Sequence, residues 1–472
     1  MITLINDLLE IPEETQTIEF KRLDGEKVVS KILKTVVAFA NTDGGSIVLG
    51  IDDPEKTKLK GLERIYGIEE NKDLYDEIIR KVQKIAPPLV VTPFKISVKE
   101  KHKTVVILKI PKATTGFHAV DDQVFMRLNK SNRRLSPTEI IKMSYAKGFE
   151  RADNELVEVD FELLTTSHFD EWKTSRGLVG NIREILLRTG LAKKKSGKAF
   201  PTRTAVLLFA DYPTDLMETK CAVKVMQYVG RIETYQETPN MIGVPRILSG
   251  PLVQLIHGTH DYVLTLLRSG VELHSGFITK YQIPERAVME AITNAVIHRD
   301  YFMKRDIEIK IFEDRVEIIS PGLLPYNITA QNIGYVRADG YRNDLLVKHM
   351  REFPIPPNFD QNEGVVAMRN EMVAQGLYPP MFITYPYLSD SVRVVLFNEH
   401  ISTEWEKVKS YLHDNRYITN QIGREITGVV QKDKMYKLFK KWTDQGFLLK
   451  INPTGSKKDV KYKLSAKSDF ED

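Results

Sequence analysis

Apolar positions recur along the chain with two periods, and the switches between those periods mark out the elements. Residues 17–21 read as a strand, and a helix follows over 27–41 with Ile32, Val36, Phe39 and Ala40 on its apolar side. Asp43-Gly44-Gly45 breaks that helix, and the apolar run 46–51 predicts a buried strand ending in Asp52-Asp53. A helix near 74–85, strands at 94–98, 104–110 and 124–128, and a closing helix over 135–149 complete this first region. Further on, Pro284 stands where a missing N–H costs nothing, and Val288, Ala291, Ile292, Ala295 and Val296 fall at helical spacing up to Tyr301. Residues 306–312 alternate like a strand, Glu313-Asp314 turns the chain, 315–319 is a second strand, and Ser320-Pro321-Gly322 ends it. The last stretch predicts helices over 403–412, 419–426 and 431–445, then a hairpin of 447–451 and 460–464 around Pro453-Thr454-Gly455.

Composition narrows the class. A chain of 472 residues exceeds one core and predicts about three domains. No apolar run approaches the ~18 residues of a membrane span, and no signal-peptide pattern opens the chain, so a cytoplasmic protein with no membrane partner is expected. Cys221 is the single cysteine, which excludes an intramolecular disulfide and a cysteine-rich zinc site. The net charge of +5 is uneven: residues 401–472 hold 15 Lys+Arg against 10 Asp+Glu, so the preceding residues sum to zero. That local basic excess points to a nucleic-acid partner more than the overall charge does.

Glu290, Asn294 and His298 are each four apart and stack along one face of the helix that Pro284 opens, apart from its apolar stripe. An amide oxygen is a hard ligand for a divalent cation, and a carboxylate can order an attacking water. Spacing alone fits a solvated face equally well. Helix, hairpin and Pro-Gly turn together resemble the divergent GHKL-class ATPase domain of bacterial proteins labelled RecG-like. The family's Glu-x-x-x-Asn box and His-Arg-Asp-Tyr are complete here as Glu290, Asn294, His298, Arg299, Asp300 and Tyr301. Arg342-Asn343 matches its Arg-Asn pair, and Gly364-Val365 with Gly376-Leu377 and Pro380 matches its closing glycine segment. Ser320 departs from the family's Asn before Pro321-Gly322, and Asn362-Glu363-Gly364 departs from its Gly-x-Gly. The resemblance implies an α/β sandwich over 281–400 that binds ATP with Mg²⁺. Its nucleotide would be held by Glu290, Asn294, His298, Arg299, Asp300, Ser320, Gly322, Arg342, Asn343 and Gly364, with Asn294 on the metal and Glu290 catalytic.

Near the start, Glu14 precedes Glu19-Phe20-Lys21 by a short interval. With Ala38-Phe39-Ala40-Asn41-Thr42, Gly44-Gly45 and Gly50-Ile51-Asp52-Asp53, this stretch resembles the Schlafen-type AlbA_2 domain, over roughly 1–150. In RNA-cutting members of that family a carboxylate triad forms the site, and the matching positions here are Glu14, Glu19 and Asp53. Three convergent carboxylates would hold Mg²⁺ or Mn²⁺ to activate water, with Lys21 pairing the scissile phosphate. Glu14 reads equally as a solvated loop residue and Asp53 as part of a polar turn, and many relatives use the domain to bind nucleic acid alone. The basic stretch 129–134, with Arg133 and Arg134, suits phosphate contact or a solvated loop.

Residues 151–175, acidic and glycine-poor, read as a linker, and 176–280 as a connecting α/β region of unread chemistry. Gly197-Lys198-Ala199 lacks the spacing and the Ser/Thr of a phosphate loop. His257 and His260, three apart on a helix with no carboxylate at ligand spacing, read as packing histidines. Three helices and a hairpin over 401–472 resemble a winged helix-turn-helix whose third helix shows Lys432, Lys434, Lys437, Lys440 and Lys441 and whose wing adds Lys457 and Lys458. Lysines name phosphate contact rather than base sequence. The chain thus reads as an α+β multidomain protein, nucleotide-gated and acting on RNA or DNA. Its leading reading is a metal-dependent endoribonuclease and/or weak ATPase, homo-oligomeric and suited to phage defence. The alternative is an ATP-responsive DNA-binding transcriptional regulator without nuclease activity.

Overall fold

Residues 1–144 and 403–472 form one unit and residues 145–402 a second. The computed structural model describes residues 2–217, 219–234, 240–272, 278–357, 364–401, 403–451 and 460–465. In the first unit, strand β1 (Ile18–Lys21) runs parallel to β2 (Gly45–Leu49), which pairs antiparallel with β4 (Lys103–Ile110), itself paired with β3 (Thr92–Val98). A parallel pair needs a crossover, and helix α1 (Lys27–Ala40) supplies it. Its Ile32, Val36 and Phe39 are buried among Ile47, Leu49 and Leu108 of the sheet. Residues 131–134 are not a loop. Asn129 turns the chain in the left-handed region, so β6 (Ser131–Arg134) folds back on β5 (Phe125–Leu128). Arg133 is then paired with Glu139 at 2.5 Å.

The C-terminal part of this unit has helices Thr403–Asp414, Asn420–Thr427 and Lys432–Asp444, followed by the antiparallel strands Leu448–Ile451 and Lys461–Leu464. Aromatic rings close its core: Phe439 stacks on Tyr462 at 4.4 Å, and Trp405 meets Trp442 at 5.2 Å. Arg416 joins it to the chain start through Asp7 at 2.5 Å and Glu10 at 3.0 Å.

The second unit is built on a six-stranded mixed sheet in the order β8-β7-β9-β10-β12-β11. These are β7 (Val223–Gln227), β8 (Arg246–Leu248), β9 (Ile307–Ile311), β10 (Arg315–Pro321), β11 (Met381–Ile383) and β12 (Ser391–Phe397). The hairpin β9–β10 is the one that the alternation over 306–319 predicts. Helices α2 (Leu252–Ser269) and α3 (Glu285–His298) pack together and share its core through Ile256, Val263, Val288 and Ile292.

Two expected boundaries are corrected. The stretch 151–175 is no linker, because Leu164, Phe169 and Trp172 lie in this core and Trp172 donates to Glu352 at 3.1 Å. Nor is 176–280 mere connection, since it supplies the edge strand β8 and its neighbour β7, which pairs parallel with β9. His260 is a packing histidine: its Nε2 lies 2.9 Å from the Met289 carbonyl and 3.1 Å from Thr293 Oγ1, and burial pushes it down to about 4. Among the described residues, no helix is long and apolar enough to cross a membrane.

Candidate nucleotide cleft and carboxylate cluster

Helix α3 carries its apolar stripe into the core and its other face into a cleft of about 440 Å³. That volume lies within the roughly 300–1,000 Å³ of small-molecule sites. Glu290, Asn294 and His298 line it from the helix, Ser320 and Gly322 from the end of β10, and Gly364 from the start of helix α5 (Gly364–Ala374), after α4 (Asp344–Met350). The rest of the lining is largely apolar, including Ile318, Ile333, Met368 and Val394. Asn294 Nδ2 donates to Glu290 Oε1 at 2.7 Å, which leaves the amide oxygen to meet a ligand. Ser320 Oγ donates to the Ala295 carbonyl at 2.8 Å, so toward the cleft it acts as an acceptor. His298 stacks on Tyr341 with ring centroids 5.6 Å apart, and its buried Nδ1 has no partner among the described residues. Burial, followed by the Arg342 charge, pushes His298 down to about 4, so it is neutral at pH 7.

Four further expected nucleotide ligands lie behind the lining and hold the helix end. Arg342 donates to the carbonyls of His298, at 2.6 Å, and of Ala146 and Leu323. Asn343 donates to Ile297 O at 2.7 Å and Arg299 O at 2.8 Å, capping α3. Arg299 donates to Lys220 O at 2.6 Å and Arg305 O at 2.8 Å, and Asp300 accepts from Phe302 N at 2.9 Å. Glycine is required at 322, where φ is +108° and a Cβ would sit 2.2 Å from Arg342 Nη1. Arg337, which the sequence reading passed over, is the sole lysine or arginine on the cleft lining among the described residues. Asn362 and Glu363 lie outside the described residues.

Gly364 is the tightest fit, since a Cβ there would stand 1.7 Å from Glu290 Oε1. Gly364→Ala is expected to push the flexible carboxylate aside and break its bond to Asn294, with little loss of fold stability. Nucleotide affinity should fall about tenfold, the worth of roughly one hydrogen bond, as read by calorimetry beside a thermal melt.

The first unit's carboxylates are held otherwise than expected. Glu14 and Glu19 are buried, and both turn to Lys21, at 3.0 Å and 2.5 Å. Glu19 also meets the buried Arg127 at 2.5 Å, a residue that the sequence reading passed over. Asp53 pairs with Lys56 at 2.5 Å and accepts from Glu55 N at 3.0 Å. Burial pushes the Glu14 carboxyl up; burial works the same way on Asp53, but Lys56 and the Glu55 N–H hold it below its ordinary value. Among the described residues no three His, Cys, Asp or Glu groups come together to hold a metal ion. Three cations already balance the three carboxylates, so as arranged these residues do not fit a divalent ion. In the C-terminal part, Lys432, Lys434, Lys437 and Lys440 are exposed on one helix, Lys441 is half-buried, and Lys457 and Lys458 lie outside the described residues.

The sheet backed by α3, with its cleft at the end of β10, belongs to the second unit, and the β1-α1-β2 unit lies in a separate α+β module. Residues 14–136 match the Schlafen, AlbA_2 family, and residues 304–396 match HATPase_c_4, whose description is "Putative ATP-dependent DNA helicase recG C-terminal". The chain therefore combines a Schlafen-type AlbA_2 domain with a RecG-like HATPase_c_4 domain, the composition of a nucleic-acid-related, ATP-binding protein. The second match begins after α3, so the Glu290–Asn294 file rests on the structure itself. Among solved structures, the DIP2311 protein from Corynebacterium diphtheriae is similar with 17% identity and a TM-score of 0.40, over 96% of this chain and 80% of that one. No curated protein matches the chain.

Proposed function

We propose that the protein binds Mg²⁺-ATP in the cleft of the second unit and uses it to govern binding of nucleic acid by the first, without cutting it. The observation that carries this reading is the cleft itself, where Glu290, Asn294, His298, Ser320, Gly322 and Gly364, scattered over residues 290–364, line one cavity. Asn294 Oδ1 would hold the metal, Ser320 Oγ would accept from the adenine amino group, and Arg337 would meet the phosphates. Glu290 would order a water. The regulator reading is preferred to the nuclease because Glu14, Glu19 and Asp53 are each committed to a lysine. The test is calorimetry with ATP, ADP and GTP, followed by filter binding of RNA and duplex DNA with and without ATP. Failure of ATP to bind, or cleavage of any of these nucleic acids, would overturn it.

The helix Lys432–Asp444 supports a winged helix that meets phosphate backbone, since its exposed lysines follow one another along the surface. Changing Lys432, Lys434 and Lys437 to Ala should weaken duplex binding and lower the slope of log affinity against log salt by about 0.9 per lost contact. An unaltered slope would assign this helix to protein contact instead.

A further inference from the structure

We infer that the Lys21 ammonium stands in the place of a divalent cation between Glu14 and Glu19, so that the AlbA_2 carboxylate cluster is complete without metal. Three oxygens converge on Lys21 Nζ: Glu14 Oε1 at 3.0 Å, Glu19 Oε1 at 2.5 Å and the Phe20 carbonyl at 3.0 Å. The ammonium donates to Glu14 Oε1 and to the Phe20 carbonyl, and Glu19 Oε1 stands against it as an ion pair. The set is two carboxylates and a backbone carbonyl about one point, the donor chemistry of a hard-cation site. The positive charge there is a covalent part of the chain, and the Lys21 side chain is only 13% exposed, so it does not exchange with solvent ions.

Its neighbours reinforce the assignment. Arg127, with a side chain 1% exposed, pairs with the other Glu19 oxygen, and its Nη1 donates to Asn132 at 3.1 Å. Glu14 Oε1 also accepts from Phe20 N at 3.1 Å. A dication entering here would face Lys21 and Arg127 at short range with little water between, a repulsion that two carboxylates already shared with those cations do not offset. The inference concerns the first unit alone and stands apart from the nucleotide reading.

Mn²⁺ binding, followed by electron paramagnetic resonance on nucleotide-free full-length protein, tests it. Wild type and Glu14→Gln, which keeps the acceptor for Lys21, are expected to bind Mn²⁺ alike. A wild-type site that Glu14→Gln removes would overturn the proposal. Lys21→Ala vacates the centre of the three oxygens and should bind Mn²⁺ at least tenfold more tightly than wild type, with the gain lost again in the Lys21→Ala/Glu14→Gln double variant. A folded Lys21→Ala protein with no gain would also overturn it. If Lys21→Ala melts early because two buried carboxylates repel, added Mn²⁺ should restore its melting temperature, and failure to do so counts against the proposal.

Discussion

Arg342→Ala is expected to cost the second unit about 3–5 kcal/mol, the usual price of stranding a buried charge network. The buried guanidinium answers three carbonyls, those of His298, Ala146 and Leu323, which come from the end of α3, the entry to the unit and the turn after β10. Without it those carbonyls lose their donor, and Asp300, whose carboxyl burial already pushes up, loses the foremost of the cations that oppose that push. A domain is stable by only about 5–15 kcal/mol, so the loss is a large fraction of the whole. Scanning calorimetry should show the second unit's transition lowered by about 10 °C. Arg342→Lys should fall between, because one ammonium cannot span three carbonyls set by separate segments. An unmoved transition together with lost ATP binding would make Arg342 a nucleotide ligand after all.

Asn294→Ala should weaken Mg²⁺-ATP by roughly thirtyfold, about 2 kcal/mol, while leaving that transition in place. The side chain lines the cleft and is half-buried, so its removal opens no void in the core. What would be lost is the amide oxygen proposed to hold the metal and the 2.7 Å bond that orients Glu290. Glu290→Gln is the companion variant. It retains an acceptor for Asn294 and should bind ATP nearly as wild type does, with any hydrolysis abolished. Equal affinity of wild type and Asn294→Ala would remove the helix α3 face from the nucleotide site.

The elements of both units that depend on local pattern were legible in the sequence. The alternation over 306–319 and the helical stripe from Val288 to Val296 correspond to β9, β10 and α3 within a residue or two. Pairing between distant segments was not, because nothing in Val223–Gln227 signals that its partner is Ile307–Ile311. The apparent linker misled through its acidic surface, which hides Leu164, Phe169 and Trp172 among charged neighbours. Spacing put Glu290, Asn294 and His298 on one helix face, and that face lines the cleft. The same kind of motif could not say that Arg299, Arg342 and Asn343 turn to backbone carbonyls, since a guanidinium or an amide satisfies either partner equally well. Arg127 escaped notice for the converse reason: it sits alone in the strand Phe125–Leu128, and the carboxylate it serves is more than a hundred residues away.

The discontinuous first unit has a consequence for how the protein is made. Residues 1–144 leave the ribosome long before 403–472, and the entire second unit is synthesised in between. Because domains tend to fold as they emerge, the second unit can mature while the first still lacks residues 403–472, and Asp7 and Glu10 wait for Arg416 until that stretch emerges. Ribosome stalling within residues 403–472 would therefore leave a chain whose second unit is finished and whose first unit is not.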